Sequence, residues 1–160
     1  PQLADEPYLA DVARLDWAVH QAEHAADGSG TVEGLQHLAE GDPATLCLRL
    51  ADGVALVSSP HPVVSIWQAH RSEAQDRFAG VREAFAQCQG EHALVHRQGF
   101  KVRVAAVPES AAHFMQALLA GAPLGRALDA AGDQFAFDGW LAQALHQRWL
   151  LTIELKGKPS

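Results

Sequence analysis

Ala93-Leu94-Val95-His96-Arg97-Gln98-Gly99-Phe100-Lys101-Val102-Arg103-Val104-Ala105 is the stretch on which the fold turns. It reads as two strands around a Gln98-Gly99 turn. Past the glycine, Phe100, Val102 and Val104 alternate with Lys101 and Arg103, the period-2 pattern of a strand with one apolar and one basic face. The chain beyond this hairpin has helical spacing. Pro108-Glu109-Ser110 starts a helix that runs to Leu119, Gly121-Ala122-Pro123 turns the chain into Leu124–Ala131, and Asp138 caps a third helix through Arg148. Leu151-Thr152-Ile153-Glu154-Leu155 then returns as a strand. Hairpin, three helices and strand, in that order, are the parts of a winged helix-turn-helix built on a small sheet, so residues 90–160 are expected to form a winged-helix-like unit.

Upstream, residues 1–89 read as a helical and hairpin region, one that could equally close with the rest into one compact domain. Asp5 is placed to cap a helix before Glu6-Pro7, and Tyr8, Val12, Leu15, Val19, Ala22 and Ala26 make one apolar stripe along it. Asp27-Gly28-Ser29-Gly30 stops that helix, and a shorter one is expected over residues 32–39, before Gly41-Asp42-Pro43. Residues 45–50 and 54–57 flank Ala51-Asp52-Gly53, where Asp-Gly signals a hairpin turn. Residues 63–70 read as a short buried helix carrying Trp67, and residues 72–89 as a more polar helical stretch around Val81 and Phe85. The expected class is α+β with a helical opening.

Bulk properties remove several functions. With 160 residues and 17.2 kDa the chain is long enough to bury a core without disulfides or a metal. No apolar run reaches the ~18 residues of a membrane span, and no signal-peptide pattern opens the chain. It begins Pro1-Gln2, which reads as a processed or truncated piece. Cys47 and Cys88 stand too far apart for a Cys-x-x-Cys site, and two reduced thiols point to a cytoplasmic protein. The net charge of −7 has the wrong sign for a protein that lives on phosphate contacts. Residues 1–42 carry nine carboxylates against the single base Arg14, while the remainder is close to neutral.

Few motifs carry chemistry. His20-Gln21-Ala22-Glu23-His24 spells H-x-x-E-H, the pattern in which two imidazoles on adjoining helical turns hold a zinc beside a glutamate base. Such hydrolases need a third ligand from a distant helix, so the motif is read here as a solvated edge. Asp16, His20, Glu23 and Asp27 share one arc at i,i+3 and i,i+4 spacing, and an acidic edge of that kind suits a partner surface. No Gly-x-Ser-x-Gly elbow or phosphate loop occurs, and neither thiol has a neighbouring His motif, so an independent enzyme is not expected. The segment 114–131 has the apolar face of a helix-turn-helix, but Leu124–Ala131 offers Arg126 as its one base and carries Asp129. The same architecture can instead add an extended peptide to a sheet edge, and the basic side chains of the second hairpin suit an acidic one.

Four segments carry a family resemblance: residues 7–20 (Pro-Tyr-Leu-Ala-Asp-Val-Ala-Arg-Leu-Asp-Trp-Ala-Val-His), His61-Pro62-Val63-Val64-Ser65-Ile66-Trp67-Gln68-Ala69-His70, Glu91-His92-Ala93-Leu94-Val95-His96-Arg97 and Trp149-Leu150-Leu151-Thr152. Together they resemble the larger, C-terminal domain of HvfC/BufC-type bacterial proteins over roughly residues 5–155. Those proteins are catalogued as DNA-binding-domain proteins because of a small helical domain that precedes this region and is not seen in this stretch. The resemblance, which extends to MbnC-like proteins, implies a non-catalytic companion of a multinuclear non-haem iron oxidase. Such a companion holds the leader of a ribosomal, cysteine-containing precursor peptide in natural-product (RiPP) biosynthesis, and the enzyme of the pair carries the metal.

The resulting expectation is a cytoplasmic heterodimer partner without catalytic residues, metal or cofactor of its own. Val95, Arg97, Lys101, Arg103 and Val104 are the expected peptide contacts, and Asp16, Trp17, His20 and Glu23 the expected face toward the oxidase. The alternative is a DNA-binding transcriptional regulator using Leu124–Ala131 and the basic hairpin. A third reading is a zinc hydrolase through His20 and His24.

Overall fold

The structure is a computed structural model that describes residues 6–26 and 30–156. Its elements run α1 (Tyr8–His24), α2 (His37–Glu40), β1 (Leu46–Leu50), β2 (Ala55–Ser59), α3 (Val63–Arg71), α4 (Ala79–Ala86), β3 (Glu91–Gln98), β4 (Lys101–Val107), α5 (Glu109–Leu119), α6 (Leu124–Ala131), α7 (Phe137–His146) and β5 (Leu150–Leu155). The fold is α+β. Two antiparallel sheets form, β1-β5 and β2-β3-β4. Among the described residues no helix is long and apolar enough to cross a membrane.

The second hairpin forms as expected. Gly99 takes φ +62 at the first central position of a two-residue turn, the geometry that follows strand twist and that glycine reaches without strain. Phe100 therefore belongs to the turn and not to the strand face of Val102 and Val104, and it is 95% exposed. The first expected hairpin does not form. β1 pairs with β5, with Leu48 opposite Ile153, and β2 pairs with β3, with Leu56 opposite Leu94. Asp52 and Gly53 both keep negative φ, so they do not make the type I′ turn that would fold β2 back on β1. The turn instead closes with Val54 N–H donating to Ala51 C=O, and the chain passes from one sheet to the other.

The same exchange changes the C-terminal unit. Three helices do follow the β3-β4 hairpin, but the closing strand β5 pairs with β1 and not with that hairpin. The structure therefore supports α+β and not the finer winged-helix connectivity. Strand pairs also join residues on both sides of position 89. The helix expected over residues 32–39 shortens to the four residues of α2, preceded by a parallel bridge between Glu33 and Thr152. The polar stretch 72–89 keeps only α4 as helix, and α7 ends at His146 before Arg148 turns the chain at φ +60. Asp138 lies in the first turn of α7, with Ala136 at the cap position. Asp5 falls outside the described residues.

Two apolar cores lie on opposite faces of the β2-β3-β4 sheet. Leu15, Val19 and Ala22 of α1, with Val63 and Val64 of α3, pack on Val57, Ala93, Val95 and Val104. On the other face Leu94 joins Leu46, Leu48, Phe114, Met115, Leu118, Leu124, Trp140, Trp149 and Ile153. Phe114 is fully buried at the centre of an aromatic group, stacked on Phe135 at 4.5 Å and edge-on to Trp140 at 4.7 Å. Two glycines test this architecture. Gly34 has φ +82, and a Cβ there would come within 2.0 Å of Ile153 O on β5, whereas a Cβ on Gly139 inside α7 meets nothing. Gly34→Ala should lower unfolding stability by more than about 1 kcal/mol, and Gly139→Ala should raise it by about 0.5–1 kcal/mol, read by urea denaturation.

Candidate functional site

The β2-β3-β4 sheet ends in β4, whose outer side has no strand partner among the described residues. Gln98 and Lys101 close the hairpin, so the alternation of an antiparallel ladder leaves the N–H and C=O groups of Val102, Val104 and Ala106 directed away from β3. Lys101 and Arg103 are exposed on this strand, and Arg103 Nε donates to Gln98 Oε1 at 3.3 Å. Near the hairpin tip a cleft of about 310 Å³ is lined by Val32, Val54, Phe100 and Leu150 together with the guanidinium-bearing Arg97 and Arg148. No carboxylate is among its described lining residues.

The five expected peptide contacts divide. Lys101 and Arg103 stand at the edge. Val95 and Val104 do not offer side chains, because they are 0% and 7% exposed and packed beneath α1. That corrects their expected role, although Val104 still presents its backbone outward. Arg97 is also taken up by the fold: its guanidinium donates to Ala25 C=O, at the carbonyl end of α1, where a cation complements the helix dipole. Asp16, Trp17, His20 and Glu23 are all exposed on the outward side of α1. Trp17 is 62% exposed and its ring lies 5.5 Å from that of His20. Asp27 lies outside the described residues. The helix-turn-helix candidate is less open: Gly125 N–H donates to Pro43 C=O at 2.8 Å, so the N-terminal turn of α6 packs on the chain that leads into β1.

Sequence reading missed a polar group that ties α1 to the sheet. Ser59 Oγ donates to Asp11 Oδ2 at 2.6 Å, His61 Nδ1 lies 3.2 Å from the same oxygen, and Arg14 pairs with Oδ1. Ser, His and Asp are the residue types of a hydrolytic triad, but here Ser59 Oγ is 2.6 Å from Asp11 Oδ2 against 3.5 Å from His61 Nδ1, and it also accepts from His61 N–H at 2.9 Å. Ser59 gives its proton to Asp11 and not to an imidazole, and at 7% exposure it is no nucleophile for a substrate. The group is a clamp. The Ser59 hydrogen bond, aided by His61 and Arg14, holds Asp11 below its ordinary 3.8 against the opposing effect of burial. Nearby, Glu91 of β3 caps α3 from outside the helix: its carboxylate accepts from Val64 N–H at 2.7 Å, Ser65 N–H at 2.9 Å and the Ser65 hydroxyl. No sequence signal marks either contact, because the partners are 26 to 50 residues apart.

His96 is the second displaced titration. It is 6% exposed on β3, edge-on to Trp149 at 5.3 Å, and its Nδ1 has no partner. Burial pushes its pKa down from 6.5, and the charge of Arg103 adds to the effect, while the adjoining Arg97 backbone opposes it. Among the described residues one cluster of three could share a metal ion, His20, Glu23 and His24, all exposed. No protein-family model, no curated protein and no solved structure matches the chain.

Both displaced groups predict acid sensitivity. The unfolded chain takes up protons at each site before the folded one does, so stability falls as the pH drops below each ordinary value. Wild-type denaturation midpoints should decline below pH 6.5 through His96 and again below pH 3.8 through Asp11. His96→Gln should flatten the upper decline only. Asp11→Asn should flatten the lower one and cost about 1–3 kcal/mol at neutral pH, since it weakens charge-assisted hydrogen bonds.

Proposed function

We propose that this chain is a non-catalytic peptide-binding partner protein that takes an extended, acidic peptide as an added strand on β4. The observation that carries the reading is the outer edge of β4, seven residues long, unpaired among the described residues and flanked by exposed Lys101 and Arg103. Backbone pairing with Val102, Val104 and Ala106 supplies affinity there, and the two cations select for acidic side chains. The family resemblance of the sequence supplies the context: a cytoplasmic companion of a multinuclear iron oxidase that presents a cysteine-containing precursor peptide, with the outward face of α1 turned to the enzyme.

A pull-down from the native host with the chain as bait, followed by mass spectrometry, is expected to recover an iron oxidase and a small cysteine-bearing peptide. Binding of that peptide should weaken at least tenfold in Lys101→Glu/Arg103→Glu. It should weaken similarly in Ala106→Pro, which removes an outward N–H while leaving the β3-β4 ladder bonds in place. Retention of duplex nucleic acid instead, with an affinity that falls steeply with salt, would sink the peptide reading and point to α6.

A further inference from the structure

We infer that the outward face of α1 is a binding site for one zinc ion, held by His20, Glu23 and His24. One ligand atom from each of the three lies within 4.8 Å of the others, and all three side chains are exposed. The spacing i, i+3, i+4 is what brings them together, since these positions share one side of a helix on adjoining turns. The two imidazole rings stand 4.4 Å apart. Donors around a tetrahedral zinc, at about 2.0–2.2 Å from the metal, are separated by roughly 3.3 Å, a closure that exposed side chains make by rotation alone. The ring of His24 is tied to the backbone on one side. Its Nδ1 lies 2.8 Å from His20 C=O. A carbonyl only accepts, so Nδ1 carries the hydrogen and the neutral ring keeps its lone pair on Nε2. A ring N–H on a backbone carbonyl is also the arrangement that orients metal-ligating histidines.

The donor set chooses the ion. Two imidazole nitrogens and one carboxylate suit late first-row divalent ions and not magnesium or calcium, which take oxygen donors. Residues 1–42, with nine carboxylates against Arg14, add a negative field that gathers cations. Three protein donors leave a fourth position open. The site is exposed, and among the described residues no further ligand joins it from a second helix, so binding is what the geometry carries, and peptide hydrolysis is not.

Calorimetric titration of the full chain with zinc chloride is expected to show one ion per chain, with magnesium chloride giving no binding at matched concentration. His20→Ala and His24→Ala should each weaken zinc at least tenfold, since each removes a ligand atom, and Glu23→Gln by less. His70→Ala and His146→Ala, exposed histidines elsewhere, should leave the affinity unchanged, and far-UV circular dichroism should confirm that all variants keep their helix content. Copper(II) should quench indole emission through Trp17, 5.5 Å from His20, and Trp17→Phe should remove most of the quenching while one zinc still binds. Several weak equivalent ions per chain, or undiminished zinc binding in His20→Ala/His24→Ala, would overturn the assignment.

Discussion

Burial of β3 on both faces is the constraint that sets the rest of the arrangement. Ala93, Leu94, Val95 and His96 are four consecutive buried residues, and in a strand consecutive side chains point to opposite sides. Ala93 and Val95 must therefore be covered by one layer, α1 with α3, and Leu94 and His96 by another, α5 to α7 with the β1-β5 sheet. The strand also fixes those layers by its polar ends. Glu91 caps α3, and Arg97 holds the carbonyl end of α1. An eight-residue strand thus sets the position of both helices on one face, and its pairing with β2 and β4 leaves β4 as an outer edge.

That arrangement separates structural from available polarity. Asp11, Ser59, His61, Glu91 and Arg97 carry polar groups that join elements to each other, and their hydrogen bonds are committed within the fold. Lys101 and Arg103 on β4, and His20, Glu23 and His24 on α1, are exposed and stand outside both cores. Charge on an edge strand also discourages unwanted pairing with other chains. The same residues therefore limit promiscuous strand addition while favouring an acidic partner.

Much of this was legible in the local pattern. The apolar stripe Tyr8-Val12-Leu15-Val19 predicts α1, the alternation in Lys101–Val107 predicts β4, and Pro123 before Leu124 marks the start of α6. The candidate surfaces were legible in part. Exposure of Asp16, Trp17, His20 and Glu23 follows from their place off the stripe, and Lys101 and Arg103 from strand alternation. The cover over Val95 and Val104 is not legible there, because alternation tells which residues share a face, not whether a helix lies on it. The hold of Arg97 on Ala25 C=O is equally invisible to local pattern, since the two lie 72 residues apart.

Sequence alone determined α1, α3, α5 and α6, the β3-β4 turn and the α+β class, because those depend on local spacing and on the backbone freedom of Gly99. Tertiary structure alone decided the strand pairings beyond the β3-β4 hairpin. Asp52-Gly53 is a competent hairpin turn, yet Leu46 and Leu48 are buried against α5 and α6 while Val57 is buried beneath α1 and α3, so β1 and β2 send their apolar side chains into different cores. The chain divides its strands between two sheets because burying both apolar sets outweighs the local preference of one turn, and that division leaves β4 with an open edge.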